Sequence, residues 1–467
     1  MPGDAQSGER PRGDIEAENA ALRREVASLK EQLAKALARI DELERAGKRQ
    51  AAPFSKGPPK ADPKRPGRKR GEQYGNWYCR ARPTKVDETY DVPLPARCPE
   101  CGCTDVDPLA VEEQFQTELP RVEPIVRRFR LHTGVCTRCG TPVQPRHPLQ
   151  TSDALGAAAS QLGPNALALG VDLNKAYGLS WGKVAAFIER AFRLKAAPSS
   201  YCRAAERLAD RAEPTYEVMI RSVAEAPAVH ADETGWKVGG HRWWLWAFVT
   251  KAVTVYRIEQ SRGGDVAEEI LGVDFAGLLG RDGWAAYDRL TEATHQSCLA
   301  HHFARAGEIL KIACRGAARF PHAVIRVLKA ALDLRDRRDE ISEHGFAVTR
   351  GRIEHAMDRL LAWEPTWEPN AAFRNHLDSE RPHLFTFLYH PEVEATNWPA
   401  EQAIRPAVIT RKMSGGNRTA RGAHAQEVLT SIVRTAVQQG RDCIDLFARA
   451  FCSPYPVDLG LAHGPSG

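Results

Sequence analysis

Three acidic residues stand far apart along the chain: Asp232 in HADETGWKVGG, Asp282 in LLGRDGWAAYD and Glu401 in TNWPAEQAIRPAVITRK. Three carboxylates that meet from distant segments form the oxygen-rich donor set that two divalent ions require. Such ions stabilise both the attacking and the leaving oxygen of an in-line phosphoryl displacement. Each acid also has a bland structural explanation. Asp232 is expected at the end of a first strand. Its neighbour Glu233 must then face the other side of the sheet, because side chains alternate along a strand. Asp282 is expected to end another strand ahead of Gly283, as a turn or cap residue. Pro399 fits the first position of a helix and puts Glu401 at the third, where a glutamate caps and suits the dipole. What raises the odds at Glu401 is the basic run after it. Arg405 lies one turn along the same helix face, and Arg411, Lys412, Arg418 and Arg421 follow in the glycine-interrupted loop RKMSGGNRTARG. Acid and base together suit metal binding beside a phosphate backbone.

A second donor set is softer. Cys98 and Cys101 in CPECGC, and Cys136 and Cys139 in CTRCG, make two CxxC pairs whose four thiolates suit a tetrahedral structural Zn²⁺. Cys103 competes with Cys101, but Cys101 has the better spacing. The 34 residues between the pairs include EEQFQTEL and IVRRFRLHTGV, whose alternation reads as paired strands of a zinc ribbon over residues 90–147. With eleven cysteines and no secretory leader, this usage points to metal rather than to a disulfide framework. Cys298 and His301 in CLAHH read as a buried thiol and a helix-start histidine rather than as ligands, with a DNA contact the alternative for His301.

The elements that must position these groups follow from pattern. Ile15, Leu22, Leu29, Ala36 and Leu43 recur every seven residues, with Asn19, Val26, Leu33 and Ile40 in the offset seam. Residues 15–46 are therefore expected to be a self-associating coiled coil. Residues 47–75 are a basic linker rich in Pro and Gly, and their KRPGRKRG core is like an AT-hook, with Lys64, Arg65, Arg68, Lys69 and Arg70 as DNA contacts. Residues 155–223 read as three helices, the last capped by Ser199 or Ser200. They suit a helical DNA-binding region with a helix-turn-helix, or a spacer. From 226 the period becomes that of strands. Three antiparallel strands, a helix, a strand, a helix and a strand form an RNase H-like order over 226–302. A helical insertion at 303–395 precedes the last core segment, 396–452. Trp243, Trp244 and Trp246 are expected to be sheet core. The fold class is thus multidomain α+β. Net charge is only +6, but residues 48–70 hold nine Lys/Arg against one acid, so the basic character is local. No apolar run is long enough to span a membrane.

In combination and order, PFSKG…PGRKRG, CPECG…CTRCG, DETGW, WLW, DGWAAY, CLAHH and RPAVITRKMSGGNRTARGA resemble the transposases of the insertion-sequence-66 family, over nearly the whole chain. The resemblance implies a DDE catalytic core of RNase H-like fold with its acids at Asp232, Asp282 and Glu401. It implies two Mg²⁺ ions per site, and binding, cleavage and strand transfer of the element's terminal inverted repeats into target DNA. It further implies companion element-encoded proteins and a bacterial, cytoplasmic and nucleoid-associated setting. One segment departs. The family's third motif commonly reads TNNxAER, and this chain reads TNWPAEQ, with Trp398 expected at the helix N-cap, where it offers no acceptor, and Asn397 able to compensate. That departure motivates the alternative, a catalytically inactive, domesticated transposase-derived DNA-binding protein.

Overall fold

The computed structural model describes Val26 and residues 80–462. The expected coiled coil (Val26 apart) and the basic linker, with Lys64, Arg65, Arg68, Lys69 and Arg70, lie outside the described residues. The chain divides into two units, Met1–Gln116 and Thr117–Gly467.

In the first unit Val26 is helical, and residues 80–116 form no helix or strand. Their one tight feature is a knuckle. The Cys98 N–H donates to Cys103 O at 2.8 Å and the Gly102 N–H to Cys98 O at 2.9 Å. Gly102 has φ +75°, a left-handed value that favours glycine.

The second unit repeats that knuckle. The Cys136 N–H donates to Thr141 O and the Gly140 N–H to Cys136 O, both at 2.9 Å, with Gly140 at φ +71°. The expected ribbon strands are mostly absent. Only β1 (Gly134–Val135) forms, paired with β2 (Pro142–Val143). Leu119, Ile125 and Val126 are at least 77% exposed, so their alternation buries no sheet face and cannot hold a strand.

Three helices come next. α1 (Pro164–Lys175) opens on Pro164, and α2 (Trp181–Phe192) on Ser180, whose side chain accepts the Lys183 N–H. α3 (Pro198–Ala224) begins at Pro198 with Ala197 as its N-cap, not Ser199 or Ser200. A proline preorganises the first helical position, so the serines fall inside the helix. α3 lays Ala205, Leu208, Ala212, Tyr216 and Met219 into the main core, so that face is committed to packing.

A five-stranded mixed sheet follows, in the order β5-β4-β3-β6-β7. β3 (Ala228–Val238), β4 (His241–Val249) and β5 (Thr254–Glu259) are an antiparallel meander. α4 (Asp265–Leu271) crosses to β6 (Leu278–Arg281), which runs parallel to β3. β7 (Thr294–Ser297) runs parallel to β6. The link between β6 and β7 is a short 3₁₀ turn at Ala285–Arg289 rather than the expected helix. The strand in THQSCLAHH runs on into a helix, α5 (Leu299–Ile312), as its sequence suggests.

Each face of the sheet is covered. Ala231, Trp246, Phe248 and Val255 pack with α3, α10 (Ala420–Gln438) and α11 (Cys443–Cys452). Leu245, Ala247, Tyr256 and Ile258 pack with Ala400, Ala403 and Ala407 of α9 (Trp398–Ser414). Trp246 is fully buried, as expected of sheet core, whereas Trp243 and Trp244 are half-buried. α6 (Arg319–Asp336), α7 (Glu343–Leu361) and α8 (Glu368–Glu380) share a separate apolar cluster with α5 and Leu278. No described helix is long and apolar enough to cross a membrane.

Candidate active site

Asp232 lies in the middle of β3, not at its end, because the antiparallel ribbon with β4 carries the strand on to Val238. The parallel ladder to β6 stops earlier, at His230 opposite Gly280. Asp232 is therefore two residues past the point where β3 loses its parallel neighbour, which opens one side of it. Close approach there needs glycine: a Cβ on Gly280 would stand 2.3 Å from His230 Nδ1. Asp282 follows β6 directly, and its carboxylate accepts the Trp284 N–H at 2.9 Å, the turn role that its sequence suggested. Glu401 sits in the first turn of α9, which starts at Trp398.

The three acids share one electrostatic neighbourhood. Burial, then the negative charges of Glu233, Asp282 and Glu401, push the Asp232 carboxyl up to about 7, against a hydrogen bond from the Glu233 N–H. Among the described residues neither Asp232 nor Asp282 has an ion pair. The surrounding acids do have partners. Glu233 accepts from Arg262 at 2.8 and 3.0 Å and from the Tyr287 hydroxyl at 2.9 Å. Its carboxyl is raised by burial and by Asp282, and those hydrogen bonds oppose the shift. Arg262 stacks between Trp244 and Trp284, 4.5 and 3.9 Å from the ring centres.

The Asp282 turn is pinned from the helical insertion. Arg281 is almost fully buried, and its guanidinium donates to Asp282 O at 2.8 Å and to both Glu380 oxygens at 2.9 Å. Burial would raise the Glu380 carboxyl, but the Arg281 charge and hydrogen bonds from Ser297 and Arg281 bring it below its usual value.

Asn397 performs the matching task for Glu401. Its Nδ2 donates to Ala231 O at 2.6 Å, its Oδ1 lies 3.3 Å from His230 Nδ1, and its N–H donates to Cys298 Sγ at 3.1 Å. It holds the N-cap position of α9 without a side-chain cap bond, because the amide is already engaged on β3. The expected register shifts by one: Trp398, not Pro399, is the first helical residue, and Asn397, not Trp398, is the cap.

Cys298 and His301 approach the same place. Glu401 Oε1 is 4.0 Å from Cys298 Sγ and 4.0 Å from His301 Nδ1. A hydrogen bond with Cys298, then the charges of Cys298, Asp282 and Glu401, raise His301 to about 9 in spite of its partial burial.

The residues fit divalent metal: three half-buried hard oxygen donors, with no cationic side chain paired to Asp232 or Asp282 among the described residues. The model of the Transposase IS66 family matches residues 159–425. The match takes in more than half of the chain, all three acids and Cys298 and His301. The chain belongs to the IS66 transposase family. No curated protein matches it.

Within this transposase the basic run does not form one loop. α9 extends to Ser414, so Arg411 and Lys412 are helical, and Arg421 is in α10. Arg411 donates to Gly235 O of β3, and Arg421 pairs with Asp210 at 2.8 Å and approaches Glu206 at 3.8 Å, both on α3. Arg405, Lys412 and Arg418 are exposed and carry no ion pair among the described residues. The loop between the helices is stitched to the β3–β4 hairpin. Asn417 N–H donates to Lys237 O at 2.9 Å and Trp236 Nε1 donates to Asn417 Oδ1 at 2.8 Å. Gly416, at φ +99°, passes so close that a Cβ would meet Lys237 O at 2.3 Å. Sequence reasoning missed Arg281, Glu380 and the clamp made by Asn397. The one available signal was an arginine directly before Asp282 in an otherwise apolar strand.

Proposed function

We propose that the chain is a DDE-type DNA transposase with an RNase H-like catalytic core, in which Asp232, Asp282 and Glu401 hold two Mg²⁺ ions. The observation that carries this reading is the convergence of three carboxyls, two of which, Asp232 and Asp282, have no cationic partner among the described residues. Burial and three neighbouring acids raise the Asp232 carboxyl to about 7, and no basic side chain is paired with it among the described residues. A structural acid at that burial acquires a partner, as Glu233 does from Arg262 and Glu380 from Arg281. Bound divalent metal supplies the missing positive charge and the Lewis acidity for attack of water, and later of a 3′-hydroxyl, on a phosphodiester.

The protein's own groups do the positioning. Asp232 projects from a rigid strand flanked by covered sheet faces. Arg281 and Glu380 fix the Asp282 turn, and Asn397 fixes the start of the Glu401 helix against β3. Exposed Arg405, Lys412 and Arg418 offer charge to a phosphate backbone beside the site. The four cysteines are assigned to structural zinc. Two knuckles of the same backbone form, at Cys98–Cys103 and Cys136–Thr141, support this. The proposed partners are the element's terminal inverted repeats and target DNA, with self-association through the coiled coil. The TNWPAEQ departure costs no candidate ligand, since Trp398 is 61% exposed and Asn397 keeps its bonds.

The test is strand cleavage of a supercoiled plasmid carrying the element's ends, in Mg²⁺. Asp232→Asn, Asp282→Asn and Glu401→Gln should each abolish cleavage and retain binding of the ends. Cleavage that survives any one of them removes that residue from the site. End binding without cleavage by the wild-type chain, in any divalent ion, would favour the domesticated binding protein instead.

A further inference from the structure

Beside the carboxyl cluster lies a donor set of a different chemical kind. Cys298 follows β7 as the N-cap of α5, His301 is in the first turn of α5, and Glu401 is in the first turn of α9. One donor atom from each lies within 4.8 Å of the other two. At Zn–S and Zn–N bond lengths, neighbouring ligands of a tetrahedral ion stand roughly 3.5 Å apart. The two 4.0 Å separations to Glu401 Oε1 therefore need only a small contraction. Cys298 Sγ already accepts the Asn397 N–H at 3.1 Å, a bond that fixes the sulfur in place. Cys298 is buried and fixed, while His301 and Glu401 are half-exposed, so one side of the trio opens to solvent for a fourth ligand.

We propose that Cys298, His301 and Glu401 form a second metal site, selective for Zn²⁺ over Mg²⁺, which draws Glu401 away from the carboxyl cluster and so restrains the enzyme. A thiolate and an imidazole are ligands for a borderline-soft ion and are foreign to Mg²⁺, which takes oxygen donors. Binding requires only the three residues. The restraint also rests on the catalytic role proposed for Glu401.

Co²⁺ serves as the probe, because a thiolate ligand gives it a charge-transfer absorption that Zn²⁺ and Mg²⁺ lack. Magnesium-free full-length protein carrying one equivalent of zinc per chain, in the four-cysteine site alone, is titrated with Co²⁺, and each variant is compared with the wild type. The expected result is a thiolate band accounting for one Co²⁺ per chain that is lost in Cys298→Ser and in His301→Asn. The band is kept in Asp282→Asn and bleached by added Zn²⁺. His301→Asn changes a half-exposed side chain, so it decides the matter if Cys298→Ser misfolds. A band of equal size in wild type and His301→Asn, or no such band in either, overturns the site. Added Zn²⁺ should also inhibit Mg²⁺-supported cleavage in wild type, and equal inhibition of His301→Asn overturns the restraint. Cobalt binding with active Glu401→Gln would sink the catalytic reading alone. Absent cobalt binding with inactive Glu401→Gln would sink this site alone.

Discussion

Replacing Asp232 with asparagine should stabilise the magnesium-free protein while destroying its chemistry. The folded carboxyl is raised from 3.8 to about 7, by burial first and by Glu233, Asp282 and Glu401 next. The folded state thus holds a proton more tightly than the unfolded state does. The stability linked to that proton is complete below pH ~4 and is lost as pH rises through about 7. A shift of roughly three units corresponds to about 4 kcal/mol at most, and relaxation of the site reduces it. Asparagine keeps the shape and the acceptor for the Glu233 N–H but never ionises. Urea unfolding of both proteins without magnesium should therefore show the variant about 1–4 kcal/mol more stable at pH 8, with the gap closing towards pH 4. Glu233 is raised as well, so the transition belongs to the cluster rather than to one residue. Adding Mg²⁺ at pH 8 should stabilise the wild type and leave the variant unmoved. If the variant were less stable at pH 8 without magnesium, or the gap were flat with pH, the carboxyl cluster would not be the strained site described.

Three further outcomes follow from particular contacts. Glu380→Ala leaves Arg281 buried without its bidentate partner and should cost about 3–5 kcal/mol in urea unfolding. Glu380→Gln, which retains one acceptor, should cost less and be read by a fall in kcat at unchanged end affinity. Asn397→Ala removes the bond to Ala231 O and frees the start of α9. Cleavage should drop by about tenfold or more at little change in end binding, since misplacing a ligand by ~1 Å is costly, and full activity would deny Asn397 its positioning role. Cys136→Ser with Cys139→Ser should remove about one zinc per chain by metal analysis, and unchanged zinc content would contradict the ribbon assignment.

The main lines of the sheet were legible because period and order were both strong. The Val/Trp/Phe runs of β3–β5, and the parallel strands that follow, stand in the chain as read, and the IS66 match covers them. What failed was local. The alternation in IVRRFRLHTGV has the strand period but nothing to bury against, so only its last two residues pair. A period specifies a face, and a face forms a strand only where another element covers it. The start of α9 was misplaced by one residue because Pro399 was read as the first helical position, while Asn397 is fixed by tertiary bonds that no window of sequence contains.

The site divides along the same line. Asp232, Asp282 and Glu401 were nameable because each sits beside a recognisable turn, strand or proline. The groups that hold them are not near them in sequence. Glu380 lies 99 residues from Arg281, and Asn397 lies 166 from Ala231. Both fixings run through buried polar contacts, and buried polar groups cost free energy unless they are paired. A chain that keeps Arg281 almost fully buried has a reason to do so, and that reason is the position of Asp282. The helical insertion is then a structural part of the site rather than an appendage: α8 supplies the Glu380 carboxylate without which the Asp282 turn has a buried, unpaired guanidinium beneath it. Shortening α8 ahead of Glu380 should therefore impair cleavage as surely as changing an acid, although no residue of the insertion is assigned to touch the reacting atoms.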